Sequence, residues 1–214
     1  TCRTQQSAQE ALEQLNDPRA LSLVWDLADI AHIEDNFFTA VSMLGGFDIL
    51  VNNAGVPKHI NNDWTDPLKI TPEDWDVVMD INAKAVFFLM QTAVRYMRLN
   101  GVCGNILNIS SIAGARPVYG SYGASKAVVS ALTRGWGKRY AKDGIVINGI
   151  EPGDIATRLQ GWKPGDPIEK NGIPLGRMGT PEEIAELSAL LLSREGGENM
   201  IGHMVVSDGG MLLG

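Results

Sequence analysis

Apolar residues along this chain fall alternately into short unbroken runs and into longer stretches with helical spacing. The first pattern suits strands buried on both faces, the second helices with one face on a core. Runs at 21–24, 47–51, 105–109, 145–150 and 203–206 predict strands. Stretches at 5–15, 30–44, 72 to about 99, 120–141 and 180–192 predict helices. In the second of these, Ile30, Ile33, Phe37 and Val41 fall near one face. Thr71 reads as an N-cap, with Pro72 at the first helical position and Asp74 in the first turn. Thr180, Pro181 and Glu183 repeat that logic, with Glu183 placed to close a capping box.

Strands separated by helices need crossover connections, which make a parallel sheet covered on both faces. The fold class expected is therefore α/β, a doubly wound parallel sheet. Neither a linker nor an internal repeat divides residues 1–214, which read as one domain. Connections at 56–70 and 157–179 are long, and the second, rich in Gly and Pro, is expected to act as a substrate loop or lid.

Composition narrows the function classes only a little. Of 214 residues, 44% are apolar and 20% charged, an ordinary globular balance. A net charge of −7 without basic runs argues against nucleic acid or an anionic membrane as main partner. Cys2 and Cys103 are too few for a disulfide framework, and no Cys/His cluster suggests a metal. A reducing, cytoplasmic setting is expected. The longest apolar runs, 85–90 and 189–192, are far short of the ~20 residues of a membrane span.

In open α/β sheets, ligands bind beyond the carboxyl ends of the strands. Polar and Gly-rich clusters stand there: Asp26, Asn52 to Gly55, Ser110 with Ser111, and Pro152 with Gly153. Tyr122 and Lys126 are four apart on a predicted helix, so they share a face. An ammonium near a phenol favours the phenolate, which suits the pair to acid/base work, although such a pair often merely shares a solvated face. A hydroxyl at Ser111 could steady an oxygen on which charge develops. Asn82, midway along an apolar helix, either marks a distortion or holds water near a site. Asn52 to Gly55 is a turn or a close approach of backbone to a ligand. The amides after Pro152 and Gly153, toward Thr157, could meet a polar ligand group.

Taken in order, Asp26, Asn52-Asn-Ala-Gly55, Asn82, Asn108-Ile-Ser-Ser111, Tyr122 with Lys126, Pro152-Gly-x-Ile-x-Thr157, Gly176 to Glu183 and Asp208-Gly-Gly210 resemble the short-chain dehydrogenase/reductase family. The resemblance implies a Rossmann-like, NAD(P)-dependent oxidoreductase acting on alcohols and carbonyls. It implies that Tyr122 is the general acid/base and that Lys126 lowers its pKa and binds the nicotinamide ribose. Ser111 would position the substrate oxygen, and Asn82 would hold a water linking Lys126 to solvent. Asn53, Ala54 and Gly55 would line the adenosine ribose, Asp26 and Leu27 the adenine, and Ile155 and Thr157 the carboxamide side. Pro152 and Gly153 complete the implied cofactor set. A homo-oligomer, dimer or tetramer, pairing along helices 72–99 and 120–141, is also implied.

Three departures from the family pattern matter. No Gly-rich turn precedes residue 21, so Thr1 is expected to follow a first strand-helix unit that is missing here. The spacing from Ser111 to Tyr122 is about two residues short of the family's, which could displace Ser111 and bring Ser110 into play. Gly135 and Gly137 fall inside a helix, where close packing between subunits would explain them. Arg3, just past the expected second strand, favours NADP over NAD by pairing with a 2′-phosphate. Lys58, His59, Trp64, Tyr119, Gln160 and Trp162 are candidates for the pocket wall. The competing readings are an inactive scaffold, favoured by the missing start, and an epimerase or dehydratase, disfavoured by the lack of a larger C-terminal region.

Overall fold

A computed structural model describes residues 1–56 and 66–213. Lys58, His59 and Trp64 lie outside the described residues. Four parallel strands form one sheet in chain order: β1 (Ile49–Asn52), β2 (Asn105–Ile109), β3 (Val146–Pro152) and β4 (Met204–Ser207). Asn52 stands opposite Asn108, Asn108 opposite Gly149, and Pro152 opposite Ser207. Side chains alternate across a strand, so β2 and β3 feed two cores. Ile106 and Ile147 join α2 (Ile33–Leu44), α4 (Ala85–Asn100) and α5 (Ser121–Tyr140) on one face. Leu107 and Ile150 meet α6 (Pro181–Leu192) on the other. This two-sided burial explains why the strands read as unbroken apolar runs. The doubly wound α/β architecture is as expected.

Helix α1 (Gln5–Leu15), the N-cap at Thr71 and the capping box at Thr180 match the sequence reading, and Thr71 closes a capping box with Asp74 as well. Residues 21–24 do not form the expected strand. Val24 makes a single parallel bridge to Cys2, flanked by Cys2 N to Leu23 O at 3.0 Å and Trp25 N to Cys2 O at 2.8 Å. One bridge offers no ladder along which a strand can extend.

The long helix is not uniform. Between α3 (Pro72–Met79) and α4, residues Asp80–Lys84 form a π-helical turn, closed by Ala85 N on Asp80 O. The whole helix, Pro72–Asn100, has the length and apolarity to cross a membrane, a property the short apolar runs do not show. More than half of its most apolar window is buried inside the protein, as befits a core helix.

Gly137 has a different cause from the one expected. A Cβ there would stand 2.6 Å from Gly202 Cα and 2.9 Å from Ile147 O, so the close approach is within the chain, between α5 and the sheet. Gly135 faces open space.

The 157–179 connection is pinned rather than loose. Asp154 binds Lys170 Nζ at 2.7 Å and Gln160 Nε2 at 3.2 Å, and Arg177 grips Glu183 of α6 through two nitrogens at 2.8 and 3.1 Å. Ile173 and Met178 pack with Ala156 in a small third core. The helix α7 (Arg194–Gly197) leads into β4.

Candidate active site

The carboxyl end of β2 faces the first turns of α5, which brings Ser111, Tyr122 and Lys126 together. Ser111 caps the short turn Ile112–Gly114, its Oγ accepting from Ala113 N at 3.1 Å. The same hydroxyl is near enough to the Tyr122 phenol to lower its pKa, so the shortened spacing does not separate them. Ser110 is not a substitute: it is buried and donates to Lys126 O at 2.8 Å.

Lys126 is 6% exposed. Its Nζ donates to Ile109 O at 2.9 Å and lies 5.8 Å from the centre of the Tyr122 ring. Burial brings its pKa down to about 8. Burial also pushes Tyr122 above the usual phenol value, and the Ser111 hydroxyl only partly offsets this. The sequence reading expected the ammonium to pull Tyr122 down; in this geometry desolvation is the larger effect.

Asn82 sits in the π-helical turn and is fully buried. Its Oδ1 accepts from Val56 N at 2.8 Å, and its Nδ2 donates to Val56 O at 3.1 Å and Ser125 Oγ at 3.3 Å. The carboxamide thus braces the segment after β1 against α5. A Cβ on Gly55 would stand 3.3 Å from Asn82 Oδ1 and 3.6 Å from Lys126 Nζ. Glycine therefore lets the backbone run directly over this pair. Asn53 and Ala54 are exposed beside it.

Beyond β3, Pro152 pairs with β4 and the Gly153 amide donates to Ser207 O at 2.9 Å. That amide is committed, so contact with a ligand falls to the following residues. Ile155 forms a bridge with Gly179, and Thr157 leads into the pinned loop. Arg3 and Asp26 follow the Cys2–Val24 bridge in parallel, and both are exposed. Asp26 accepts from Ala28 N, while Leu27 packs against the main core. Of the pocket-wall candidates, Tyr119 is exposed, Gln160 is held by Asp154, and Trp162 Nε1 donates to Asp166 O.

The sequence reading placed Asn52 and Asn108 in motifs but gave neither a partner, and it missed Thr133. Asn52 Nδ2 donates to Asn108 Oδ1 at 2.8 Å, and Asn108 Nδ2 to Thr133 Oγ1 at 2.8 Å, which laces β1, β2 and α5 together. The available signal was an amide inside an apolar strand, which must find partners when buried.

The arrangement has relatives. A family model described as enoyl-(acyl carrier protein) reductase matches residues 2–212. The 3-oxoacyl-[acyl-carrier-protein] reductase of Thermotoga maritima is 35% identical over 196 residues, covering 89% of this chain and 76% of its own. The 2-dehydro-3-deoxy-D-gluconate 5-dehydrogenase of Dickeya dadantii is 35% identical over 202 residues, covering 91% and 77%. A short-chain dehydrogenase of Bacillus anthracis superposes with a TM-score of 0.84 at 28% identity, over 99% of this chain and 84% of its own.

This chain belongs to the short-chain dehydrogenase/reductase family. It is an oxidoreductase of that family, and NAD(P) is its cofactor class. Among similar structures, a putative 2-deoxy-D-gluconate 3-dehydrogenase of Agrobacterium tumefaciens holds NADP. It has a TM-score of 0.75 and 32% identity, over 90% of this chain and 76% of its own. A 3-ketoacyl-(acyl-carrier-protein) reductase of Brucella melitensis is complexed with NADH, with a TM-score of 0.84 and 27% identity, over 98% and 85%. The residues of this short-chain dehydrogenase fit such a group on one side: Gly55 leaves open backbone over Lys126, where any Cβ would crowd Asn82.

Proposed function

We propose that this protein transfers a hydride between a nicotinamide dinucleotide, NADP rather than NAD, and an alcohol/carbonyl pair, with Tyr122 as general acid/base. Ser111 beside the Tyr122 phenol, with the buried Lys126 Nζ 5.8 Å from the Tyr122 ring, carries this reading. When bound, the nicotinamide supplies or accepts the hydride. In the reducing direction Tyr122 Oη gives its proton to the carbonyl oxygen, and Ser111 Oγ donates a hydrogen bond to the same oxygen. The phenolate so formed lies near Lys126, whose ammonium stabilises it and then returns a proton from solvent. Lys126 would also hold the nicotinamide ribose, with Asn53 to Gly55 on the adenosine side and Ile155 and Thr157 beside the carboxamide. Asn82 keeps the segment over Lys126 in place. Arg3 supports NADP, because a guanidinium matches a 2′-phosphate.

The substrate class is tested with NADPH and NADH against a β-keto thioester and a keto-sugar acid, the chemistries named by the relatives above. Consumption of the reduced nicotinamide with one of them supports the reading. Saturable nucleotide binding with no turnover of any carbonyl would favour a non-catalytic binding protein. The protein pairs with a second copy along α4 and α5. An exposed groove there is lined by Arg95, Leu99, Trp136 and Tyr140, and a dimer or tetramer by light scattering is the expected result.

A further inference from the structure

A buried polar chain runs behind the catalytic turn. Glu151 lies near the end of β3 and is 3% exposed. Its Oε1 accepts from Ser130 Oγ at 2.7 Å. Ser130 Oγ and Ser110 Oγ are 2.9 Å apart, and Ser110 Oγ donates to Lys126 O at 2.8 Å. Ser130 gives its one proton to Glu151, so the one proton of Ser110 is shared between Lys126 O and Ser130 Oγ. All four residues are buried. Arg134, exposed, reaches Glu151 only at 3.8 Å.

Stability alone does not account for a carboxyl group here. Taking it out of water costs several kcal/mol, and an apolar side chain of similar size would pack at least as well. What the chain does supply is direction. Apolar contacts hold α5 on the sheet but tolerate small slides and rotations, whereas hydrogen bonds fix distance and angle. Each link joins different elements: β3 to α5 through Glu151 and Ser130, α5 to the end of β2 through Ser110, and β2 back to α5 at the Lys126 carbonyl. Lys126 Nζ closes the loop on Ile109 O. The residue preceding Ser111 is thereby locked to the residue one turn beyond Tyr122.

We propose that Glu151, acting through Ser130 and Ser110, is a positioning residue that sets Ser111 against Tyr122 and Lys126. The role in turnover rests on the catalytic reading of Tyr122 and Lys126 above; the geometric role does not.

The test uses Ser130→Ala, Glu151→Ala and Glu151→Gln, the last keeping an acceptor for Ser130. Turnover is measured with NADPH and the carbonyl probe that supports it. The Tyr122 ring 13Cζ resonance is followed in tyrosine-labelled protein and assigned by its loss in Tyr122→Phe. Ser130→Ala and Glu151→Ala lower kcat by about 10- to 100-fold, leave KM for NADPH within about twofold, and move the Tyr122 resonance, because a misplacement of about 1 Å has that cost. Glu151→Gln stays near wild type in both readouts. An unmoved resonance and unchanged kcat in Ser130→Ala, or Glu151→Gln behaving like Glu151→Ala, would overturn the proposal. If Tyr122→Phe keeps full turnover, the catalytic reading fails, while the resonance still decides whether the chain positions Tyr122.

Discussion

Replacing Lys126 with methionine should make the protein more stable at neutral pH and inactive. Lys126 in the folded chain releases its proton near pH 8, against an ordinary value of 10.5, because burial disfavours the ammonium. Between those values the unfolded chain binds more protons than the folded one, so stability rises with pH through that window. Below about pH 8 the charged, buried amine costs about 3 kcal/mol relative to an uncharged side chain of similar shape. The Lys126→Met substitution would remove that cost and also the bond from Nζ to Ile109 O, worth about 1–2 kcal/mol. The bond changes the offset between the two proteins, not its pH dependence. The stability of wild type relative to Lys126→Met should therefore climb by about 2 kcal/mol between about pH 6.5 and about pH 9.5. Urea unfolding of both proteins at the two pH values measures this directly. Parallel stability profiles would refute the claim that Lys126 is a desolvated base, and so its place beside Tyr122.

Other outcomes follow from packing. Gly137→Ala should cost about 1–3 kcal/mol, because its Cβ would enter the Gly202 backbone, while Gly135→Ala should gain up to about 1 kcal/mol in open space; thermal melts give the two signs. Arg177→Ala, which frees Glu183 from its two guanidinium bonds, should hasten proteolytic cleavage within residues 158–176 and leave the melting of the sheet nearly unchanged. Asn82→Ala removes three hydrogen bonds to Val56 and Ser125 and should weaken NADPH binding more than it lowers the melting temperature, as read by nucleotide fluorescence titration.

The sheet was legible because its strands are buried on both faces and read as continuous apolar runs, and because prolines, threonines and acids mark the helix starts. Residues 21–24 look no different in composition, but a strand needs a neighbour, and pairing is not written in the run itself. The π-helical turn at Asn82 was hinted at by one amide in an apolar helix; its cause, a brace to Val56, lies 26 positions away. The candidate catalytic set was assembled from spacing and order. Its support was not: Thr133, Ser130 and Glu151 read as ordinary polar residues, and the partners of Asn52, Asn108 and Ser110 lie on distant segments. The balance of forces on Tyr122 was also hidden, because burial is a property of the packed protein rather than of the Tyr-to-Lys spacing.

In the proposed reaction Tyr122 moves the proton. Turnover of Tyr122→Phe, beside its affinity for NADPH, tests it most directly. A loss of at least about 100-fold in kcat with nucleotide affinity within about threefold is expected; a phenylalanine variant that turns over at near wild-type rate would rule out Tyr122 as the acid/base.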